Sequence, residues 1–390
     1  MVSARRSLIF GILTICLSVA TFLLILEVGV RVSLPSYVWK PAEQLYQLDP
    51  VLGWAYKRNT YSAGAIGDYG WKVDLHTNDD GVTPANSSPS RQPGAVRIMF
   101  FGDSTVIGRA VPDEQRIHRV LQKLLKQRGM EAEVINAAVE GYATDQSLLL
   151  MKRLSVLYRP DIVIYGLCQN DLAGNLVAVA HGMPKPRFIL SRNGGLIHQP
   201  PDPTLVSYVR EIQHRPRAWS ASSFMRRSAL YQVTRPYLLP LRAWWLRLQG
   251  EDTEERWNVR MYFTNQDNKM SDELEMLEAL LTQMHATATA AGARFLFYSH
   301  PSLQEVWDPT IKQIERQHDL SPGVYNRYAF EALMKRVASV ASDVTYCPMV
   351  TSFAHNQSRG PFHLLPFDPH CNPAGYRLTA ETLADCMPGY

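Results

Sequence analysis

The chain has 390 residues, of which 46% are hydrophobic and 19% are charged, and its formal net charge is +4. This composition excludes an intrinsically disordered protein, and the length suffices for one large α/β domain or two smaller ones. The mild charge gives no electrostatic argument for nucleic acid, and no zinc-knuckle or ribonucleoprotein signature accompanies it, so no nucleic-acid partner is expected.

The N-terminus carries an apolar segment that is long enough to cross a membrane. Arg5 and Arg6 precede twenty residues without a charged side chain, Ser7–Leu26. As a helix this segment spans about 30 Å, which matches the hydrocarbon core of a bilayer. Signal peptides have a shorter apolar region of about 7–15 residues and a small-residue cleavage site, whereas Glu27–Arg31 follows here. We therefore expect a retained signal anchor over residues 1–31 rather than a cleaved peptide.

The positive-inside rule places the two arginines in the cytoplasm and the rest of the chain outside it. The expected location is therefore a single-pass membrane protein with an extracytoplasmic catalytic domain, which in a bacterium means the inner membrane and the periplasm. Residues 32–92 are rich in proline, aromatic and turn residues. We expect them to form a membrane-proximal lead-in, with a stalk followed by short strands.

From residue 93 to residue 390 the pattern becomes α/β. The expected strands are Val96–Phe101, Glu133–Ala138, Asp161–Gly166, Arg294–Tyr298 and Val344–Cys347. Helices are expected between them, with starts near Pro112, Asp145, Ser271, residue 326 and Asn372. Strands that alternate with helices in this way predict a mainly parallel five-stranded sheet sandwiched by helices in three layers, as in flavodoxin-like folds.

An insertion at 176–265 interrupts this alternation. Between Ile212 and Gly250 it has seven arginines, no acidic residue, and interleaved tryptophan and tyrosine residues. One interpretation is a helical cap with a solvated arginine face. The other is a surface that meets lipid headgroups or an anionic glycan, because aromatic and basic residues together suit such an interface.

Polar residues follow the expected strands where a ligand would bind. Ser104, Gly141 and Asn170 lie just past the first three strand ends, and ligands of open parallel sheets bind beyond those carboxyl ends. Near the C-terminus, Asp368 precedes His370 by two residues. A serine with a histidine base and an acidic partner performs acyl transfer. We therefore expect Ser104, Asp368 and His370 to be the catalytic residues.

This chemistry also needs hydrogen-bond donors aimed at the developing oxyanion. The backbone N–H groups of Ser104 and Gly141 and the side-chain amide of Asn170 supply three candidates, and glycine suits a close backbone approach. Asp103 is expected to hold the serine turn by hydrogen bonding rather than to join the triad.

Two other histidines, His300 and His363, are competing bases without an acid nearby in sequence. No histidine, cysteine and acid spacing indicates a metal site.

Together these motifs resemble the SGNH (GDSL-type) hydrolase superfamily, whose four sequence blocks carry a serine, a glycine, an asparagine and a histidine. The resemblance covers about residues 94–175 and 293–386 and extends loosely to membrane-anchored bacterial members. It implies Ser104 as nucleophile, His370 as base oriented by Asp368, and no cofactor. The third block departs from the family pattern, because Gln169 precedes Asn170 where the usual motif is Gly-x-Asn-Asp.

Three functions are compatible with these residues. The first is a serine esterase that removes O-acyl groups, chiefly acetyl, from an extracytoplasmic glycan or a similar acylated molecule. The alternative is an O-acyltransferase that modifies an envelope polysaccharide and receives its acyl group from a membrane partner protein. The third is a non-catalytic envelope protein that binds glycan through the arginine-rich insertion.

Four cysteines lie in the exported part: Cys168, Cys347, Cys371 and Cys386. They allow three disulfide connectivities. Cys168 and Cys371 each neighbour a site residue, so one arrangement pairs these two and leaves Cys347 with Cys386. Packed free thiols are the alternative.

Overall fold

A computed structural model describes most of the chain. The described residues are 2–33, 45–66, 72–207, 228–231, 233–234, 261–263, 271–321, 323–340, 344–364 and 370–387. The chain divides into two compact units. The first comprises Met1–Ala42, Gly64–Lys72 and Pro216–Thr253, and the second comprises Glu43–Ala63, Val73–Arg215 and Glu254–Tyr390. The expected boundaries at residues 31 and 92 stay predictions.

The secondary structure follows the expected alternation. The strands are β1 (Tyr46–Asp49), β2 (Gly53–Tyr56), β3 (Tyr61–Ile66), β4 (Lys72–His76), β5 (Val96–Gly102), β6 (Ala132–Asn136), β7 (Ile162–Leu167), β8 (Val179–Ala180), β9 (Met183–Pro184), β10 (Arg187–Leu190), β11 (Leu196–Gln199), β12 (Arg294–Ser299) and β13 (Thr345–Cys347). The α-helices used below are α1 (Val2–Ser33), α2 (Ser104–Ile107), α3 (Ile117–Gln127), α4 (Thr144–Tyr158), α5 (Asn170–Gly174), α6 (Ser271–Ala290), α7 (Leu303–Val306), α8 (Asp308–Gln317), α9 (Ala329–Val340), α10 (Met349–His355) and α11 (Pro373–Cys386).

The first unit contains a candidate membrane span. Within α1, the segment Phe10–Ser33 has a mean hydropathy of 2.3 and is not buried by other residues. It has the length and composition of a membrane anchor or a signal sequence. Near its end, the Glu27 carboxylate accepts hydrogen bonds from the Ser228 hydroxyl at 2.7 Å and from the backbone N–H groups of Ala229 and Leu230, both at 2.9 Å. Part of the insertion is therefore bound to the end of this helix.

The second unit contains a five-stranded sheet in the order β13-β12-β7-β5-β6, and every neighbouring pair is parallel. Strand β5 is buried from Arg97 to Gly102 and is apolar from Ile98 onward, and β7, the middle strand of the sheet, is buried along its whole length. Continuous apolar runs of this kind are typical of parallel strands covered on both faces. The expected fold class is confirmed.

Helices flank this sheet in two packed pairs, α3 with α11 and α4 with α6. In α3, Ile117, Leu121 and Leu125 recur every four residues and form its buried face. Helix α11 begins after Asn372, whose side chain accepts a hydrogen bond from the backbone N–H of Gly375 at 3.0 Å. This cap and the proline in the first turn explain the predicted start of the closing helix.

The expected second strand was too long. Strand β6 ends at Asn136, whose side-chain oxygen accepts a hydrogen bond from the backbone N–H of Ala138 at 3.0 Å. The expected helix start near Pro112 was early, because Asp113–Gln115 forms a 3-10 turn and α3 begins at Ile117. Helices α7, α8 and α10 were not predicted.

The insertion begins with strands, ahead of the arginine-rich segment for which a helical cap is one interpretation. Residues 179–199 form two antiparallel hairpins, β8–β9 and β10–β11, and glycines with positive φ lie in both turns, Gly182 and Gly194. Glycine at such positions favours tight hairpin turns. Of the arginine-rich segment, only residues 228–231 and 233–234 are described, so most of that interpretation concerns residues outside the described part.

One of the expected disulfides is present. Cys347 and Cys386 are bonded, whereas Cys168 and Cys371 are free thiols, so their proposed pairing is wrong. Cys371 instead contacts the side chain of Thr379 in α11 and forms an isolated antiparallel bridge with His363. These local contacts hold its thiol within the C-terminal segment.

Candidate active site

The turn after β5 presents Ser104 as the first residue of α2. Asp103 caps this helix, since its carboxylate accepts hydrogen bonds from the backbone N–H of Thr105 at 2.8 Å and from its hydroxyl at 2.6 Å. Gly102 has a φ of +149°, and a Cβ there would lie 2.5 Å from a methyl carbon of Val106 and 2.7 Å from the carbonyl oxygen of Gly166. Only glycine fits at this point, so the Gly-Asp-Ser sequence is required by the turn.

The structure brings Ser104 and His370 together. The Nε2 atom of His370 lies 2.8 Å from the Oγ atom of Ser104, and both residues are partly exposed. The backbone carbonyl of His370 accepts a hydrogen bond from the N–H of Leu364 at 2.9 Å, just before α11 begins. This separation permits direct proton transfer from the serine hydroxyl to the imidazole. Asp368 lies outside the described residues, and its role as the acidic partner stays a prediction.

The loop after β6 carries Gly141 at a φ of +75°. It is bound to the nucleophile turn, because the N–H of Val139 donates to the carbonyl of Gly102 at 3.0 Å. The residue before it, Glu140, is fixed through its backbone carbonyl, which accepts a hydrogen bond from the indole N–H of Trp54 at 3.1 Å. The loop is thereby anchored at the two residues directly before the glycine.

The Glu140 side chain faces the same site. Its carboxylate forms an ion pair with Arg109 at 2.6 Å and accepts a hydrogen bond from the Tyr46 hydroxyl. Burial raises the pKa of Glu140 to about 7, and the charge of His370 opposes this rise. An acidic group is therefore within electrostatic reach of the histidine.

Asn170 is exposed at the first position of α5, just past the end of β7. Because β6 and β7 both flank β5, Gly141 and Asn170 follow the two strands on either side of the one that carries Ser104. The next residue, Asp171, is buried and accepts hydrogen bonds from the Tyr165 hydroxyl at 2.6 Å and from the N–H of Cys168 at 3.1 Å.

The unusual Gln169 has a structural explanation. It is buried, and its side-chain amide donates to the Tyr262 hydroxyl and to the Ser302 hydroxyl at 3.3 Å. Its side-chain oxygen accepts a hydrogen bond from Gln304 at 3.1 Å. Gln169 thus fixes the loop before Asn170 through side-chain hydrogen bonds, which a glycine could not form.

The competing bases lie in a buried cluster. The donor atoms of His300, His363 and Cys371 all lie within 4.8 Å of one another, the spacing of a possible metal site. The Nε2 atom of His363 lies 2.7 Å from the carbonyl oxygen of Pro301. Burial raises the pKa of the Cys371 thiol well above its usual range, so without a metal this group stays protonated. The three side chains form a possible metal site that their sequence spacing did not indicate.

Sequence reasoning missed several residues around Gly141. Glu140 was detectable as a charged residue directly before the predicted oxyanion glycine. Tyr46 and Trp54 come from the lead-in, and His181 comes from the insertion, so only the folded chain brings them to this loop.

A protein-family model matches most of the chain. The model of the GDSL-like lipase/acylhydrolase family matches residues 100–378. The chain belongs to this family and is an SGNH ester hydrolase. Among curated proteins, none matches the sequence.

Solved structures with some similarity in chain course include TesA and two acetylxylan esterases. TesA is 14% identical, with a TM-score of 0.38 over 75% of this chain and 98% of its own. The acetyl xylan esterase AlAXEase is 12% identical, with a TM-score of 0.38 over 75% of this chain and 100% of its own. A catalytic mutant of Axe2, an acetylxylan esterase from Geobacillus stearothermophilus, is 11% identical, with a TM-score of 0.39 over 77% and 98%.

Proposed function

We propose that the protein is a membrane-anchored serine esterase that removes O-acyl groups, chiefly acetyl, from an extracytoplasmic glycan or a similar ester. The observation that carries this proposal is the 2.8 Å separation between Ser104 Oγ and His370 Nε2. A serine hydroxyl is a weak nucleophile unless a base accepts its proton, and this hydrogen bond supplies the base.

The reaction proceeds in two halves. Ser104 attacks the ester carbonyl while His370 takes its proton, and the oxyanion binds to the N–H groups of Ser104 and Gly141 and to the amide of Asn170. His370 then protonates the departing alcohol, which leaves an acyl-serine. Water, deprotonated by His370, releases the carboxylic acid and restores the enzyme. Asp368 orients His370 throughout.

The choice of a glycan rests on topology. Arg5 and Arg6 precede the apolar part of α1 and favour a cytoplasmic N-terminus, which leaves the catalytic unit outside the cytoplasm. An exported site tethered at a bilayer encounters envelope polymers.

The test is release of acetate by the full-length protein in detergent. The substrates are acetylated xylan, methyl 6-O-acetyl-glucoside and p-nitrophenyl esters of increasing chain length, and Ser104→Ala is the control. We expect acetate release from the sugar esters that the control lacks. Hydrolysis of long-chain esters alone would overturn the glycan proposal.

The transferase alternative uses the same residues, and its acyl group would come from a membrane partner. Addition of an unacetylated oligosaccharide separates the two reactions. Acetyl transfer to that acceptor in excess of acetate release would identify a transferase. The hydrogen-bonded Ser104 and His370 favour either enzyme over the non-catalytic glycan-binding alternative.

A further inference from the structure

The first hairpin of the insertion carries an exposed histidine at its tip. Strands β8 and β9 pair Val179 with Pro184 and Ala180 with Met183, which leaves His181 and Gly182 as a two-residue turn. Both turn residues have positive φ, 52° and 72°, as a type I′ turn requires. Few non-glycine residues adopt this conformation, and asparagine, aspartate and histidine are over-represented among those that do.

The imidazole of His181 lies against Gly141, the proposed oxyanion glycine. A Cβ on Gly141 would lie 2.7 Å from the Cδ2 atom of His181, 2.9 Å from its Nε2 atom and 3.5 Å from the Trp54 indole. The two rings therefore occupy the space that a side chain on residue 141 would fill. The positive φ of Gly141 favours glycine there, and the short distances to the His181 ring show how closely the hairpin tip approaches this residue.

The hairpin is held firmly in place. Lys185, which follows β9, is buried with its Nζ paired to Asp145 and bonded to the carbonyl of Gly174 at 2.8 Å. Its backbone N–H donates to the carbonyl of Ala178 at 2.9 Å and closes the base of the hairpin. Breaking a buried ion pair of this kind is costly, so the position of the tip is well defined.

We propose that His181 is a substrate-contacting residue that binds the sugar side of the ester, and this inference rests on the proposed esterase function. The ring is exposed and therefore accessible to a ligand, and it lies beside a predicted oxyanion donor. A neutral imidazole offers one donor and one acceptor, which suits the hydroxyl groups of a sugar. The Arg109–Glu140 ion pair lies next to Gly141 and makes the surroundings of this glycine polar. Polar surroundings suit the sugar part of the ester, which carries hydroxyl groups, better than they suit the methyl group of the acetyl part.

The test compares two substrates that share an acetyl group and differ in the alcohol, methyl 6-O-acetyl-glucoside and p-nitrophenyl acetate, with the full-length protein. The variants are His181→Ala and His181→Gln. The matched control is His198→Ala, which removes an exposed histidine from the neighbouring β10–β11 hairpin. Unfolding temperatures verify that all variants fold.

We expect His181→Ala to raise KM for the sugar ester about 5- to 10-fold, the loss of one or two hydrogen bonds. In His181→Ala, KM for p-nitrophenyl acetate should stay near that of the unaltered protein. His198→Ala should leave KM for both substrates unchanged, and His181→Gln should show a smaller rise in KM for the sugar ester than His181→Ala. An unchanged KM for the sugar ester, or an equal rise for both substrates, overturns the proposal. If the unaltered protein cleaves p-nitrophenyl acetate but no sugar ester, the glycan function itself is wrong and the inference falls with it.

Discussion

The turns after β5 and β7 are both stabilised by a buried aspartate, but the two aspartates bind different parts of the chain. Each contains a buried aspartate whose carboxylate accepts two hydrogen bonds and fixes the backbone. Asp103 accepts both of these hydrogen bonds from Thr105, one residue beyond the serine, and so shapes a tight cap. Asp171 binds Tyr165 and Cys168, so it ties its turn back to the strand. In both turns the aspartate stays inside and its neighbour, Ser104 or Asn170, points to the site edge.

The two aspartates also differ in how completely they are satisfied. One carboxylate oxygen of Asp171 has no hydrogen-bond partner among the described residues. Burial, and then the charge of Asp103, raise the pKa of Asp171 well above its usual value. Burial raises the pKa of Asp103 as well, while its hydrogen bonds from Thr105 oppose the rise. A negative charge on Asp171 is therefore less well stabilised than a negative charge on Asp103.

The largest expected effect is on the first turn. Ser104→Ala removes the nucleophile and should lower kcat for acetyl esters by roughly 10⁴-fold or more, as loss of a catalytic serine does elsewhere. Initial rates with p-nitrophenyl acetate measure this loss. Ser90→Ala, at an exposed serine, is the control and should retain full activity. A near-normal kcat for the Ser104→Ala protein would show that Ser104 is not the nucleophile.

The second turn should show a smaller effect of a different kind. Asn170→Ala removes one proposed oxyanion donor, and we expect kcat to fall about 10²- to 10³-fold with little change in KM. Steady-state kinetics separate the two parameters. Asn86→Ala, at another exposed asparagine, should leave both unchanged. Equal kcat values for Asn170→Ala and Asn86→Ala would contradict the role of Asn170 as an oxyanion donor.

The buried carboxyl group of Asp171 in the second turn predicts a pH effect on stability. Because the folded-state pKa of Asp171 is raised, its carboxyl stays protonated in the folded chain while it ionises above about pH 4 when unfolded. Its contribution to the free energy of unfolding therefore falls as pH rises past that point, by at most about 1.4 kcal/mol per pH unit.

Asp171→Asn cannot ionise, so urea unfolding should show the variant gaining stability relative to the unaltered chain between pH 5 and pH 8. The control is Asp202→Asn, at an exposed position. A difference that is constant with pH would show that Asp171 is already ionised in the folded protein.

The smallest effect on activity is expected at Gln169, which lies in the second turn directly before Asn170. Gln169→Ala removes hydrogen bonds to Tyr262 and Gln304 and should lower the free energy of unfolding by about 1–3 kcal/mol. Because this residue supports Asn170 indirectly, kcat should fall less than in Asn170→Ala. Urea unfolding and kinetics on the same preparation measure both quantities. A kcat loss equal to that of Asn170→Ala would make Gln169 as important as the amide it supports.

The sheet could be predicted because its signals are local: β5 is apolar from Ile98 to Phe101 and β7 along its whole length. The Ser104–His370 contact joins residues 266 positions apart, and it could be expected only from the set of motifs and the family that they resemble. The hairpin at His181 has no such signal, because its position depends on the buried Lys185–Asp145 pair, which joins residues 40 positions apart.

The most direct test of the central claim is the intact mass of the full-length protein after treatment with a fluorophosphonate, which labels activated serines. A single adduct on Ser104, absent from both Ser104→Ala and His370→Ala, is the predicted result. No adduct on the folded protein, or an adduct that persists in Ser104→Ala, would contradict the assignment of Ser104 as a nucleophile activated by His370.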